Sequence, residues 1–424
     1  MHAQRKRLKP TGPLVGALLA FALPPSAYAA DDDQNAAETA APDVSSSGDA
    51  APESPPDELR LGGALRFNYL YKTWDPVNQS RGGDLWFEMI RLNTGLQHGR
   101  FIAASDYRFY GTYGNFLKSG WMGVQLDEHS TLKVGAVRVP IGVLPYASHC
   151  WFLNLGFYAG LEDDHDLGLL YEHNQRGWDL DLAYFHSDEG HYSGRSRDSA
   201  RYAYDLVRVD AVVDENGAVV QEASQHKEQH TGAVRLQKTF DASVGDTVVG
   251  ASGQAGGIYD ELSQQYGLSW ASSAFMQQHL GALELTGQAI RAERQPAGPS
   301  SESMGLWMGA FDSPYRVARA FWLLEGNVAY SIPVDRELLS SVQVYNDFGV
   351  MLKDVGATTL QNVTGAVLGS EFVYTTIDFA AGQNQPWLGG DWESGLAEGN
   401  PDAPWEMRIN VNLGLYFGGR IALP

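Results

Sequence analysis

The sequence predicts an all-β chain that closes into a transmembrane antiparallel β-barrel of about 16 strands, with one connection folded inward as a constriction. Three observations predict it. Segments of apolar/polar alternation recur from residue 59 to the end. The connections between them switch between short and long, as if sorted to two ends of a cylinder. The N-terminus has the layout of an export signal, yet no later run of about 18 apolar residues could form a helical span.

Taken in order, Arg5, Lys6, Arg7 and Lys9 form a basic start, Leu14 to Leu23 an apolar run, and Ala27-Tyr28-Ala29 a small-x-small site. This is a secretory signal peptide over residues 1–29, with cleavage expected before Ala30. The apolar run is too short for a membrane anchor. The whole chain of 424 residues has a net charge of −21. Removing the leader takes away four basic residues and no acidic one, leaving −25. Such a charge excludes a nucleic-acid partner, which needs basic patches. The lone Cys150 allows no intramolecular disulfide, so stability must come from a large core or a closed barrel.

Residues 30–58 hold nine acidic residues and no basic one, among Ala, Ser and Pro. The segment cannot bury enough apolar surface to offset its ordering entropy and is expected to be disordered. The barrel is expected over 59–424. Its last strand is the clearest: Met407, Ile409, Val411, Leu413, Leu415 and Phe417 share one face, with Arg408, Asn410, Asn412, Gly414 and Tyr416 on the other. The first strand alternates likewise from Leu61 to Lys72, placing Arg66 and Lys72 on its inner face. A period of two with an apolar outside and a polar inside is what a wet barrel in lipid requires.

The expected strands are 60–73, 84–97, 100–111, 116–127, 130–139, 165–173, 177–187, 229–240, 246–258, 265–277, 280–293, 316–330, 337–350, 358–368, 371–383 and 405–417. Short turns fall at Gln97–Arg100, Glu128–His129, Asn174–Arg176, Ala242–Gly245, Gln278–His279, Ser331–Arg336 and Gly369–Ser370. Long connections fall at 140–164, 188–228, 294–315 and 384–404. An even strand number returns both chain ends to the short-turn side.

Several segments carry a family resemblance. Leu132-Lys133-Val134-Gly135 followed by Val139-Pro140-Ile141-Gly142 resembles a strand and loop start of the phosphate-selective porin O/P family. Glu162 to Gly168, Asn362-Val363-Thr364-Gly365, Gly382-Gln383-Asn384-Gln385-Pro386 and the Trp405–Phe417 run are similar to later parts of that family. The resemblance implies a porin of the Gram-negative outer membrane, and porins of this strand number imply a homotrimer. In that family the last strand usually ends on an aromatic residue near the C-terminus. Here Phe417 is followed by 418–424, through which the alternation can be continued at Ile421 and Leu423.

In a pore, whatever lines the narrowest point sets the behaviour. Connection 140–164 is aromatic from Tyr146 to Tyr158 and is expected to fold into the bore rather than hang in water. The alternative is an external loop packed at a trimer contact. Its acidic exit, Glu162, Asp163, Asp164 and Asp166, would form one side of the constriction. If Leu92 and Leu96 face lipid, Arg91 faces inward. If Ser105, Tyr107 and Phe109 face outward, Asp106 and Arg108 face inward. Arg66, Lys72, Arg91 and Arg108 would then form the opposite, basic side. Opposed charges would set a transverse field across the eyelet. The alternative is that these cations pair with Glu88, Asp106 or loop carboxylates for structure. Glu284, Glu325 and Asp181 are also expected to face the lumen.

The expectation is a passive diffusion channel for small hydrophilic solutes or ions, of the anion or phosphate type where the basic side prevails. Its partners would be outer-membrane lipid and lipopolysaccharide, and it would need no cofactor. Rival readings are a non-conducting structural or adhesive barrel, a barrel enzyme, and a secreted β-protein. An enzyme is not expected: Gly250-Ala251-Ser252-Gly253 departs from G-x-S-x-G, and no H-E-x-x-H occurs. Asp163-Asp164-His165-Asp166 has the residue types of a metal site but is read as a polar strand start, so no metal is expected.

Overall fold

Backbone amides in lipid have no water to bond, so a strand there survives only with both edges paired. The computed structural model describes residues 57–213, 219–221, 223–242, 245–298, 304–336, 339–370 and 372–423. In chain order its strands are β1 (Glu58–Lys72), β2 (Asp84–His98), β3 (Phe101–Tyr110), β4 (Gly114–Gln125), β5 (Ser130–Arg138), β6 (His165–Gln175) and β7 (Trp178–Asp188). Then come β8 (Asp205–Leu206), β9 (Val212–Val213), β10 (Val219–Gln221), β11 (His226–Ala242), β12 (Gly245–Asp260), β13 (Gln265–Leu280) and β14 (Leu283–Gln295). The last are β15 (Gly305–Ala310), β16 (Ser313–Ala318), β17 (Ala320–Arg336), β18 (Leu339–Lys353), β19 (Thr359–Gly369), β20 (Val373–Gln383) and β21 (Glu406–Ala422).

Sixteen of these, β1–β7, β11–β14 and β17–β21, close into one antiparallel barrel. Closure is made by β1 against β21, in register from Glu58↔Ala422 to Lys72↔Arg408. The expected fold is therefore the observed one. The last strand runs past Phe417 to Ala422, because β1 offers partners that far. The first strand begins at Glu58, inside the segment expected to be disordered. The expected signal peptide, and all but the last two residues of the acidic segment, lie outside the described residues. The twelfth strand is displaced: Arg316 belongs to the β15–β16 hairpin, and β17 replaces the turn expected at Ser331–Arg336.

Side chains alternate as a wet barrel requires. Ala64, Arg66 and Asn68 on β1, and Arg408, Asn410 and Asn412 on β21, are buried in the interior. Leu61, Leu92, Val134, Leu182, Val234, Leu324, Val344 and Leu413 are exposed on the outer wall. Exposed aromatic residues crown both ends of that wall, Phe101, Trp178 and Phe240 towards the short turns and Phe109, Tyr184, Tyr266 and Trp322 towards the long loops. Among the bulges that shift the alternation, one lies opposite Arg66/Phe67 and one opposite Asp106/Tyr107. The one opposite Arg66/Phe67 buries Glu88 and Met89 together; the one opposite Asp106/Tyr107 does so for Lys118 and Ser119.

The connection 139–164 folds into the barrel, as expected, and its irregular backbone is held by lumen-facing side chains of seven strands. Ser252 of β12 accepts from the Gly142 amide (2.8 Å), and Gln288 of β14 from Val143 (3.1 Å). Asp347 of β18 accepts from His149 and Cys150 (2.8 Å each), Asp378 of β20 from Phe152 (3.1 Å), and Glu325 of β17 from Gly156 (2.9 Å). In return Arg235 of β11, Asn327 of β17 and Gln361 of β19 donate to the carbonyls of Gly142, Ala147 and Leu153. Such partners are what buried non-repetitive backbone demands. Gly160 marks where the loop meets its neighbours: φ is +70°, and a Cβ there would lie 2.2 Å from the Tyr204 carbonyl oxygen and 2.4 Å from Met308 Cε.

The lipid-facing assignment predicts the effect of charge on the outer wall. Leu92→Arg, near the middle of β2, should cost about 2–4 kcal/mol in urea-driven unfolding from lipid vesicles. An unchanged unfolding midpoint would mean that this face does not meet lipid.

Candidate functional site

The constriction is built from two unlike walls. One is the run of neighbouring strands β21, β1, β2, β3 and β4, which no part of the 139–164 backbone covers by hydrogen bonds among the described residues. The other is a core of inward-turned segments. Between them lies a cavity with about 930 Å³ of empty space, part of it continuous with bulk solvent.

The strand wall contributes cations. Arg66 of β1, Arg91 of β2, Arg108 of β3, Lys118 of β4 and Arg408 of β21 all line the cavity. Arg66 grips Glu88 through two hydrogen bonds of 3.0 Å each, and Arg108 is 2.9 Å from Asp106. Arg91 leans over the Tyr416 ring at 5.4 Å, and its Nε has no hydrogen-bond partner. Arg408 donates to Asn410 Oδ1 (3.0 Å) and lies over Trp151 and Phe152 at 5.8 and 5.1 Å, its Nε likewise unpartnered. Among the lining residues five cations face two carboxylates, Glu88 and Asp163.

The opposite wall is aromatic. Trp151, Phe152, Phe157 and Tyr158 come from the inward loop, Tyr202 and Tyr204 from the loop after β7, Phe311 from the β15–β16 hairpin, and Trp387 from the last long loop. Ring contacts join them: Phe157 meets Tyr204 at 5.5 Å, and Tyr202 meets Phe311 at 5.6 Å. Several cations rest on this wall. Arg108 is 4.6 Å and Lys118 5.0 Å from the Tyr202 ring, and Arg66 is 5.7 Å from Trp151.

Of the residues expected at the basic side, the structure brings Arg66, Arg91 and Arg108 together. Lys72 stands apart at the long-loop rim, 3.8 Å from Asp75 and over the Trp74 ring. The anticipated pairing with Glu88 and Asp106 is present for Arg66 and Arg108. Of the acidic set only Asp163 lines the cavity. It lies 2.8 Å from Lys118 and 3.2 Å from Arg138, and the Tyr202 hydroxyl donates to it at 2.7 Å. Burial works to raise the Asp163 carboxyl, but Lys118 and Arg138 outweigh it and hold it well below the usual range. Glu162 turns to the far wall, where Gln288 donates to it at 2.5 Å. Asp164 and Asp166 are buried away from the cavity, beside Asp205. The charge opposing the basic wall is thus one carboxylate in an aromatic surface, not an acidic strip. Lys118 escaped the sequence pattern because it sits at a bulge; Arg408 was visible on the polar face of the last strand.

No family model and no curated protein matches the chain. Solved structures do. It is similar to the anion-selective porin from Comamonas acidovorans, at 13% identity and TM-score 0.50, covering 85% of this chain and 100% of that one. It is similar to OmpT of Vibrio cholerae, folded in vitro and in trimer form, at 10% identity and TM-score 0.52, covering 85% and 100%. It is also similar to the outer membrane channel DcaP of Acinetobacter baumannii, at 8% identity and TM-score 0.52, covering 86% and 99%. The fold is that of the outer-membrane porins. At these identities the likeness extends to architecture, and the solute must be argued from the cavity.

The inward loop also carries a titrating anchor. The His149 ring lies 2.9 Å from Asp347 and 3.4 Å from Glu284. Burial lowers its proton affinity, but the hydrogen bonds to Asp347 and Glu284 outweigh this and raise its pKa from 6.5 to about 9. A raised value means that the protonated ring favours the docked loop at neutral pH, and that this contribution is lost as pH rises through about 9. Protease nicking within 139–164 should therefore increase as pH rises through that value, and His149→Gln should flatten the profile. A profile identical in both proteins would contradict the anchor.

Proposed function

We propose that the protein is an outer-membrane porin, a passive diffusion channel for small hydrophilic solutes that favours anions. The observation that carries this reading is the cavity inside the closed barrel, lined by five cations: Arg66, Arg108 and Lys118 are paired with Glu88, Asp106 and Asp163, and Arg91 and Arg408 have no carboxylate within ion-pair distance among the described residues.

The chain as a whole is acidic, at −21, so magnitudes must decide. Exposed charges are screened within about 8 Å at physiological salt. Inside a narrow bore, an anion 5 Å from one guanidinium gains about 3 kcal/mol at an effective dielectric of about 20, against less than about 1 kcal/mol in bulk water. The local excess therefore outweighs distant surface carboxylates. A guanidinium offers paired donors that suit carboxylate and phosphate alike, which is consistent with the phosphate-type resemblance.

In this reading Arg66, Arg91 and Arg108, with Lys118 and Arg408, form the basic side of the eyelet, and Asp163 is its acidic group. Residues 1–29 are removed on export, and the barrel enters the outer membrane of a Gram-negative bacterium among lipid and lipopolysaccharide. A homotrimer fits the strand number, and one similar protein, OmpT of Vibrio cholerae, is described in trimer form.

Single-channel recording of the refolded protein in planar bilayers tests the reading, through the reversal potential in a salt gradient. Wild type should reverse on the anion side. Arg91→Gln with Arg408→Gln should move the reversal potential towards the cation side, because neither change strands a paired carboxylate. Arg66→Gln should shift it the same way but lower stability as well, since it leaves buried Glu88 uncompensated. Absence of openings would favour a structural barrel, and cation preference in the wild type would overturn the anion reading.

A further inference from the structure

Alternation at the end of the inward loop separates neighbouring carboxylates. Asp163 joins the cavity, whereas Asp164 and Asp166, two residues apart across extended backbone, turn together towards Asp205 at the start of β8. One oxygen from each of the three lies within 4.8 Å of the others, and all three residues are at most 5% exposed. Oδ1 of Asp164 and Oδ1 of Asp166 are buried with no hydrogen-bond partner. An unpartnered buried carboxylate oxygen is costly, and here two sit in one cluster.

The surrounding charge does not relieve them. Arg201 is divided among Asp205 (2.9 Å), Asp188 (3.2 Å) and Glu189 (3.4 Å). Arg294 sends one nitrogen to the Ala159 carbonyl (2.9 Å). Glu228 of β11 stands near enough to repel Asp164 and Asp166. Six carboxylates thus share two guanidinium groups.

The geometry points to a divalent-cation site, of the calcium type, formed by Asp164, Asp166 and Asp205. The donor set is all oxygen and anionic, which suits a hard cation rather than zinc or copper. Ca²⁺ accepts several carboxylates in flexible geometry, whereas Mg²⁺ demands a near-ideal octahedron and keeps several of its waters. Bound there, the ion ties the return of the inward loop to the segment bearing Tyr202 and Tyr204, which line the cavity. Through Asp205, which pairs with Gly309 of β15, it also reaches the hairpin carrying Phe311. The carboxylates come from two segments, the loop return into β6 and β8, so the cation would hold the aromatic wall in shape.

The test uses the full mature barrel, refolded and stripped with EDTA, at a salt concentration that screens surface carboxylates. Calorimetric titration with CaCl₂ should show one saturable site per chain, with MgCl₂ at least about tenfold weaker. Asp205→Asn, and Asp164→Asn with Asp166→Asn, should each lose that site while keeping the heat-modifiable gel mobility of a folded barrel. Should the variants fail to fold, Tb³⁺ bound to the wild type gives a second readout. Emission sensitised by nearby tyrosines, displaced by Ca²⁺ at one ion per chain, supports the site. No saturable binding or sensitised emission in the wild type, or binding unchanged in folded variants, overturns it.

Discussion

The organising constraint is that backbone N–H and C=O groups must find partners wherever water is excluded. In the wall this forces closure, and the pairing of β1 with β21 over the whole of β1 removes the last edge. Inside, the same demand falls on the loop 139–164, which has no ladder of its own. Its partners are the polar side chains that alternation points into the lumen: Ser252, Gln288, Glu325, Asp347 and Asp378 as acceptors, Arg235, Asn327 and Gln361 as donors.

That docking makes the bore asymmetric. Polar groups on β11, β12, β14 and β17–β20 are engaged by the loop, whereas the cations of β1–β4 and β21 are left facing the cavity. The surface opposite them is aromatic. Rings present a negative face to a guanidinium or ammonium; Arg66, Arg108 and Lys118 are paired with Glu88, Asp106 and Asp163, whereas Arg91 and Arg408 rest on rings that hold them without cancelling their charge. The arrangement keeps a local positive field in a chain whose surface is acidic.

Most of the barrel was legible in the sequence because its lipid face and lumen face impose a period of two, and because loop length sorts by end. Met407 to Phe417 announced the last strand, and the aromatic run Tyr146 to Tyr158 announced an inward loop. What local pattern could not show was anything set by contacts between loops. Lys118 was hidden because a bulge opposite Asp106/Tyr107 breaks the alternation. Arg316 looked like barrel because β16 alternates as a strand, but its partner is β15. The acidic exit read as one strip, yet Glu162, Asp163 and Asp164 diverge to Gln288, Lys118 and the neighbourhood of Asp205. Each destination lies on a different element, and Gln288 is 126 residues from Glu162.

The barrel is a cylinder with a greasy skin and a wet, charged bore. Single cysteines along β1 test this two-faced wall most directly, since the native Cys150 is fully buried. Arg66→Cys and Asn68→Cys should react with a charged, membrane-impermeant thiol reagent and change the current, whereas Leu65→Cys and Phe67→Cys should react only with a lipid-soluble one. Equal reaction at adjacent positions, or the reverse order, would contradict the account.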